Sequence, residues 1–269
     1  AYGIVGIGAA AYSPAKYGIL TEILPTNSLV AANGWVEGST VAAIILGAMF
    51  GGVIAVYDVD LAIITISILY VMAAIFNKYM PDVVIDHKLK KKDPWSLIKD
   101  FVISYKTLWS DPLGQLSLTI TTLFWGAGAT LRLVIIGWAA YALGYGLDKS
   151  TTLSATVALG VAIGAIIAAF FIKMKDSTKI LPVGIVMGGL VCAMVFITTW
   201  QSAAIVLTLV GVFSGLLIVP LNALLQHRGH LLIGAGHSIA VQNFNENLGI
   251  LLLSGTYTLM VKGNIPING

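Results

Sequence analysis

Arg132 stands near the middle of an apolar stretch that runs from about 116 to 144. An ionised side chain at the centre of a bilayer costs about 2.5–3.5 kcal/mol on insertion scales, so it persists mainly where it faces a cavity or a partner. Trp125, Gly128 and Ala129 share a helical face with Arg132. That face would offer a planar cationic fork beside small residues, and phosphate suits such a fork. The alternative is a structural ion pair with an acidic residue on another helix.

A second polar group lies in the last apolar stretch, from about 238 to 261. Gln242 and Glu246 are four residues apart and share a helical face, with Asn245 in the same turn. This group predicts a cavity lining, proton coupling through Glu246, or hydrogen-bonded cross-links between helices. Cross-linking explains Asn245 at least as well as transport does.

Three further polar residues lie close to predicted helix ends. Lys16 is about one turn from the end of its helix, so its ammonium either snorkels to the interface or contacts an anionic headgroup. Asn222 holds a comparable place later in the chain. Glu37 is either a transport residue or a solvated first-turn acid that suits the helix dipole.

The sequence contains no motif that predicts an enzyme. There is no His/Asp arrangement for acyl transfer, and no glycine-rich phosphate loop precedes a lysine. Three histidines lie close together, at 227, 230 and 237, but no cysteine or carboxylate joins them as a metal ligand. We therefore expect neither catalysis, nor a metal site, nor a cofactor.

The composition indicates the solvent in which these residues must be positioned. The chain is 58% hydrophobic and 10% charged, with a mean hydropathy of +0.92, whereas soluble domains are about 25% charged. We therefore predict an all-α membrane protein, each span needing about 20 apolar residues. The apolar stretches predict eight spans, at about 1–20, 35–57, 61–76, 116–144, 152–172, 180–200, 202–222 and 238–261.

The basic residues predict an orientation. Most of the 15 lysines and arginines fall on one side of the predicted spans, whereas Lys149 and Lys262 fall on the other. By the positive-inside rule the basic loops are cytoplasmic. The net charge of +3 is thus a topology signal rather than a sign of nucleic-acid binding.

The longest polar segment, about 77–113, holds a predicted surface helix. Asp93 followed by Pro94 is typical of a helix start. The residues that follow place an apolar face at helical spacing, formed by Trp95, Ile98, Val102, Tyr105 and Trp109. We predict an amphipathic helix on the membrane surface; the alternative is a packed loop helix.

Two stretches on either side of this segment look alike. Each has a proline near a cytoplasmic helix end, then a polar loop, then a helix with an early glutamate: Pro14 with Glu37, and Pro220 with Glu246. Duplicated halves of this kind are typical of the twelve-helix major facilitator fold. We therefore expect a fragment with about 8 of 12 transmembrane helices. Residues 1–77 would hold helices four to six, 78–113 the cytoplasmic linker, and 114–269 helices seven to eleven.

Five blocks resemble the lysophospholipid transporter family of the major facilitator superfamily. They are AAAYSPAKYGIL (9–20), ANGWVEGSTVAAIILG (32–47), LFWGAGATLR (123–132), VPLNALLQHRG (219–229) and GAGHSIAVQNFNEN (234–247). The resemblance implies movement of lysophospholipids, chiefly lysophosphatidylethanolamine, from the outer to the inner leaflet of the bacterial inner membrane, without ATP or an ion gradient. It implies a partner acyltransferase and acyl-carrier-protein synthetase that restores the second acyl chain, and transport roles for Lys16, Glu37 and Arg132.

Two other functions stay open on the residues alone. A proton-coupled major facilitator exporter of drugs or small amphiphiles would use Glu246 as its proton carrier. A membrane acyltransferase would need a buried His or Asp pair that activates a nucleophile, and the predicted spans hold none.

Overall fold

The computed structural model describes residues 2–80 and 93–263. Some side chains within the helices, including that of Pro14, are not described either. Lysines at 88, 90, 91 and 92, which contribute to the predicted orientation, lie outside the described residues.

The described residues form α-helices joined by short turns. The α-helices are α1 Tyr2–Ile23, α2 Leu29–Tyr57, α3 Val59–Phe76, α4 Pro94–Ser110, α5 Pro112–Leu143, α6 Leu147–Phe171, α7 Pro182–Ala193, α8 Trp200–Ile233 and α9 Ala235–Lys262. Short 3-10 turns lie at Thr26–Ser28, Asn77–Tyr79, Met174–Ile180 and Met194–Phe196. The predicted all-α class is confirmed for this part of the chain.

Within the described residues, six segments are long and apolar enough to cross a membrane, by length and composition: Thr26–Tyr57, Val59–Tyr79, Pro112–Leu143, Lys149–Phe171, Met174–Phe196 and Trp200–Ile233. The other two predicted spans form the 22-residue α1 and the 28-residue α9, which carry much of the polar chemistry. In α3 the apolar side chains are exposed and only Ala62 is buried. Such a surface suits contact with lipid, so the protein is a multi-pass membrane protein.

Two predicted loops are wrong. The helix α2 begins at Leu29 instead of near Trp35, and α8 continues through Pro220 to Ile233 instead of ending at Asn222. Two of the polar side chains that suggested a loop, Gln226 and Arg228, are hydrogen-bonded to partners on other elements. Because these partners compensate their burial, the helix continues. Pro220 removes one backbone donor without ending α8.

The helices α6 and α8 are in backbone contact along a row of glycines. Gly160 and Gly164 of α6 face Gly211 and Gly215 of α8, and the Cα atom of Gly211 is 2.9 Å from where a Cβ on Gly160 would stand. Small residues four apart allow this approach. By contrast, a small-residue spacing at Gly47 and Gly51 makes no close contact with the described residues.

The helix α4 begins where predicted, since the Asp93 carboxylate accepts from Ser96 N at 3.0 Å. Its C-terminal half packs on the bundle through buried Leu108. The ring of Phe101 lies edge-on to Phe244 of α9, with centroids 5.5 Å apart. Trp95, at the other end, is 80% exposed. Thus α4 is packed on the bundle at its end and exposes the apolar side chains of Trp95, Leu97 and Ile98 at its start.

Candidate substrate-binding site

Gln242 lies at the centre of a group of polar side chains in the bundle. It is 6% exposed, and its Nε2 donates to Asn222 Oδ1 at 2.9 Å and to Glu246 Oε1 at 2.7 Å. Asn222 comes from the middle of α8, and Gln242 and Glu246 from successive turns of α9. Three residues selected from the sequence are therefore joined by hydrogen bonds.

The helices α1 and α2 add charged residues to this group. Lys16 Nζ donates to Thr40 Oγ1 at 3.3 Å and lies 5.1 Å from the centre of the Tyr17 ring. Glu37, about one turn before Thr40, is within electrostatic range of Lys16, Tyr17 and Glu246. We call this set the polar cluster, and its members are Lys16, Tyr17, Glu37, Asn222, Gln242 and Glu246.

The positions of Lys16 and Glu37 argue against one of the two interpretations of each residue, and their roles in transport stay predictions. Glu37 lies more than two turns into α2 and is partly buried, so the interpretation as a solvated first-turn acid is wrong. Lys16 is nearly two turns before the end of α1, and its ammonium is held by Thr40 and the Tyr17 ring rather than reaching outward. Both side chains therefore belong to the interior of the bundle.

The side-chain acceptors of Gln242 and Glu246 differ in whether they have a donor. Gln242 Oε1 is buried without a hydrogen-bond partner among the described residues. The Glu246 carboxylate accepts from Gln242 Nε2, and no ion pair to it forms within the described part of the chain. The Gln242 carbonyl oxygen is therefore buried without a donor from the described residues, whereas the Glu246 carboxylate has one.

Three other selected residues do not join these contacts. Arg132 is exposed on α5 and has no hydrogen bond or ion pair with the described residues, so the alternative of a structural ion pair is not found among them. Trp125 packs edge-on against its neighbour Phe124, with ring centroids 5.7 Å apart. Asn245 is buried and donates to Val241 O of its own helix at 2.8 Å.

Arg132 nevertheless lies on α5, which contacts α9, the helix that carries Gln242 and Glu246. Gly126 of α5 faces the backbone of Gly249 on α9. Arg132 is six residues further along α5, which is about 9 Å of helix. The guanidinium and the cluster are therefore on adjacent helices but at different depths.

Several polar contacts were missed by sequence reasoning, and they lie at the end of the bundle where α1 and α8 finish. We call it the Arg228 end. Asn33 of α2 and Gln226 of α8 exchange two amide hydrogen bonds of 2.8 Å. His230 Nδ1 lies 3.4 Å from Glu22 Oε1. These partners are distant in sequence, so no local pattern could have paired them.

Asp111 and Arg228 form the strongest contact at this end. Arg228 donates from Nε to Asp111 Oδ2 at 3.0 Å and from Nη2 to Oδ1. Asp111 also caps α5, because its Oδ2 accepts from Gly114 N at 2.8 Å. The hydrogen bond from Arg228 holds the pKa of the Asp111 carboxyl below its usual value, with the Gly114 amide adding to the effect.

Asp111→Asn is expected to destabilise the protein by about 1–2 kcal/mol, between the values for exposed and buried ion pairs. A carboxyl with a depressed folded pKa contributes stability above its ordinary pKa of about 3.9, and that contribution is lost as the pH falls through the folded value. Unfolding midpoints in detergent between pH 3 and 7 measure both effects. Asp176→Asn is the control, since its partner Lys179 is 77% exposed. Equal effects of the two substitutions would contradict the prediction.

No group of three or more His, Cys, Asp or Glu side chains in the described residues is placed to hold a metal ion. The described polar residues offer hydrogen bonds and fixed charges. They comprise an unpaired guanidinium on α5 and a partly buried cluster with two carboxylates and one ammonium.

Comparisons with known proteins agree with this architecture. The family model "Major Facilitator Superfamily" matches residues 1–254. The chain is 43% identical over 262 residues to a lysophospholipid transporter of Serratia proteamaculans, covering 97% of this chain and 66% of that protein. It is 40% identical over 267 residues to a lysophospholipid transporter of Yersinia enterocolitica, covering 99% of this chain.

A lysophospholipid transporter of Yersinia pestis is 41% identical over 267 residues, covering 99% of this chain. The chain spans 66% of the length of each of these relatives. No solved structure matches it. The long family match, together with the all-helical bundle, shows that the chain belongs to the Major Facilitator Superfamily.

Proposed function

We propose that this protein transports lysophospholipids across a membrane. The observation that carries the proposal is Arg132, an exposed guanidinium on the membrane-spanning α5 with no partner among the described residues. A phosphate diester bears the charge and the oxygens that a guanidinium fork binds in two parallel hydrogen bonds. The apolar side chains around the bundle suit the single acyl chain, and the relatives named above are lysophospholipid transporters.

In this proposal the movement runs from the outer to the inner leaflet of the bacterial inner membrane, with lysophosphatidylethanolamine as the chief cargo and membrane lipids as the surroundings. A partner acyltransferase and acyl-carrier-protein synthetase then restores the second chain, and the transporter itself performs no catalysis. Residues 1–77 form the end of one half, 78–113 the cytoplasmic linker and 114–269 part of the other half. The basic loops face the cytoplasm.

Arg132→Ala is expected to lower lysophospholipid transport by about 10- to 100-fold, because charge-assisted hydrogen bonds contribute about 1.5–3 kcal/mol. Arg132→Lys keeps the charge but loses the fork, so we expect an intermediate rate. The assay follows a labelled lysolipid from the outer to the inner leaflet of vesicles that contain the protein. Leu133→Ala, at an adjacent exposed position, is the control. Normal transport by Arg132→Ala would refute the assigned role.

Transport measured in the same vesicles with and without a proton gradient distinguishes this function from proton-coupled export. An exporter of that class would lose its activity when the proton gradient is collapsed, and Glu246→Gln would abolish the dependence. Lysophospholipid movement that continues without a gradient supports the proposal.

A further inference from the structure

An open cavity lies where α6 and α8 begin, at the other end of α8 from the Arg228 end. Its volume is about 350 Å³, and it is lined by Tyr145, Lys149, Thr152, Trp200 and Gln201. Three membrane-spanning segments end or begin at this level: Pro112–Leu143, Lys149–Phe171 and Trp200–Ile233. In a bilayer the ends of such segments lie among the lipid headgroups, where tyrosine and tryptophan are enriched. The cavity is therefore placed to meet a headgroup.

The helices α6 and α8 begin side by side at this cavity. Their contacting glycines advance in the same direction along both helices, so the two helices run parallel. Lys149 lies eleven residues before Gly160, and Trp200 lies eleven residues before Gly211, which faces Gly160. Gly146, the N-cap of α6, offers no side-chain bond to the first backbone amides. The positive ends of two helix dipoles are thus neighbours, and a negative charge beside them would be stabilised.

The side chains that line the cavity are hydrogen-bond donors. Each of the five carries an N–H or O–H group, and none of the five is a carboxylate. Lys149 supplies the positive charge. Its Nζ lies 5.0 Å from the centre of the Tyr145 ring, and it forms no ion pair with the described residues. Such a set complements an anion with several acceptor oxygens, and phosphate is an anion of this kind.

The packed interior of the bundle holds one wall of the cavity in place. Trp200 packs against a buried apolar cluster that includes Leu153 and Ala203, neither of which has exposed surface. Thr199 caps α8, because its Oγ1 accepts from Ser202 N at 3.3 Å. The first turn of α8 is therefore positioned before a ligand arrives, which lowers the entropic cost of binding.

We propose that this cavity binds the phosphate group of a membrane lipid, with Lys149 as the cationic contact. The site is separate from Arg132, which lies eleven residues, or about 17 Å of helix, before the end of α5 at Leu143. The phosphate belongs either to a lysophospholipid or to a diacyl phospholipid of the bilayer. Placing the lipid in the outer leaflet rests on the orientation given under the proposed function, whereas the binding itself does not.

The test measures binding of three lipids with the same acyl chains to the purified protein in detergent: lysophosphatidylglycerol, diacyl phosphatidylglycerol and monoacylglycerol, which lacks the phosphate. Lys149→Ala is expected to weaken binding of a phosphate-bearing lipid by about threefold to tenfold, between the effects of exposed ion pairs and of charged hydrogen bonds. Lys149→Arg keeps the charge, so its affinity should stay within about twofold. Lys262→Ala is the matched control, since Lys262 is an exposed lysine in the last turn of α9.

The lipids identify the source of the phosphate. A loss in Lys149→Ala that is confined to lysophosphatidylglycerol identifies the transported lipid as the occupant, and a loss that includes the diacyl lipid identifies a site for bilayer phospholipid. Either result supports the inference. Asp148→Asn removes the acid next to Lys149 in the sequence, so it should leave the affinity unchanged or raise it.

Unchanged binding in Lys149→Ala, an equal loss in Lys262→Ala, or an equal loss for monoacylglycerol would overturn the inference. The loss in Lys149→Ala should persist in protein that also carries Arg132→Ala, because the two sites are separate. These outcomes concern binding and not movement between leaflets. If the unaltered protein moves no lysophospholipid in vesicles, the proposed function fails, and the binding measurements still decide the inference.

Discussion

Gly164→Ala is expected to destabilise the protein by about 1–3 kcal/mol, the usual effect of overpacking a filled interior. A Cβ at this position meets the backbone carbonyl of Val212 on α8, and its distance to the carbonyl carbon would be 2.8 Å. A backbone atom cannot rotate away as a side chain can, so the two helices must separate. Gly215→Ala introduces the same conflict from the other side, where Ala165 N would be 2.6 Å away.

The measurement is the unfolding midpoint in detergent, followed by size-exclusion fluorescence after heating. Gly188→Ala is the control, because Gly188 lies within α7 and nothing among the described residues is within 4 Å of its added Cβ. Alanine is the better helix former by about 1 kcal/mol, so this control should be unchanged or slightly stabilised. A Gly164→Ala protein as stable as Gly188→Ala would show that α6 and α8 do not touch as described.

Asn33→Leu is expected to destabilise the protein by about 1–3 kcal/mol, because it leaves the Gln226 amide buried without its partner. Asn33 is 3% exposed and Gln226 is 2% exposed, so water cannot replace the lost hydrogen bonds. Asn33 Nδ2 also donates to Leu29 O at 2.9 Å, a bond within its own helix. The substitution therefore removes two hydrogen bonds between α2 and α8 and one within α2.

A double-mutant cycle separates the link from the individual side chains. Replacing both Asn33 and Gln226 by leucine removes both polar groups together, and we expect the double variant to be more stable than the sum of the single effects predicts. The coupling should be about 0.6–1.7 kcal/mol, the range found for hydrogen bonds between membrane helices. Additive single effects would mean that the two amides do not interact. Asn247→Leu, at an exposed position, controls for the loss of an asparagine.

The helices themselves could be predicted from the sequence because their causes are local. Apolar stretches of spanning length predicted six of the segments that the structure confirms among the described residues. Asp93 followed by Pro94 predicted the start of α4. The extension of α8 past Asn222 could not be predicted, since it depends on Asn33 and Asp111, which meet Gln226 and Arg228 only in the folded bundle. A polar side chain predicts a loop unless its distant partner is known.

In the candidate site, too, local relationships could be predicted from the sequence and contacts between distant residues could not. Glu246 and Gln242 were identified because four residues separate them on one helix, and the structure joins them. Their proximity to Glu37 and Lys16 arises only when the helices pack together. The contact of the Tyr17 ring with Lys16 arises in the same way, and no pattern in the sequence indicated it. Arg132 was identified from its cost in lipid alone. Its role in transport stays a prediction.

The packing of α4 has a mechanical consequence. Phe101 and Tyr105 of α4 both contact the ring of Phe244, with centroids 5.5 and 6.2 Å away. Phe244 stands between Gln242 and Glu246 in the sequence of α9, on the same stretch of rigid helix. A displacement of α4 would therefore push or pull on Phe244 and shift the turn of α9 that carries these two side chains. Lateral pressure on the exposed Trp95 end of α4 would thus change the positions of Gln242 and Glu246 in the polar cluster.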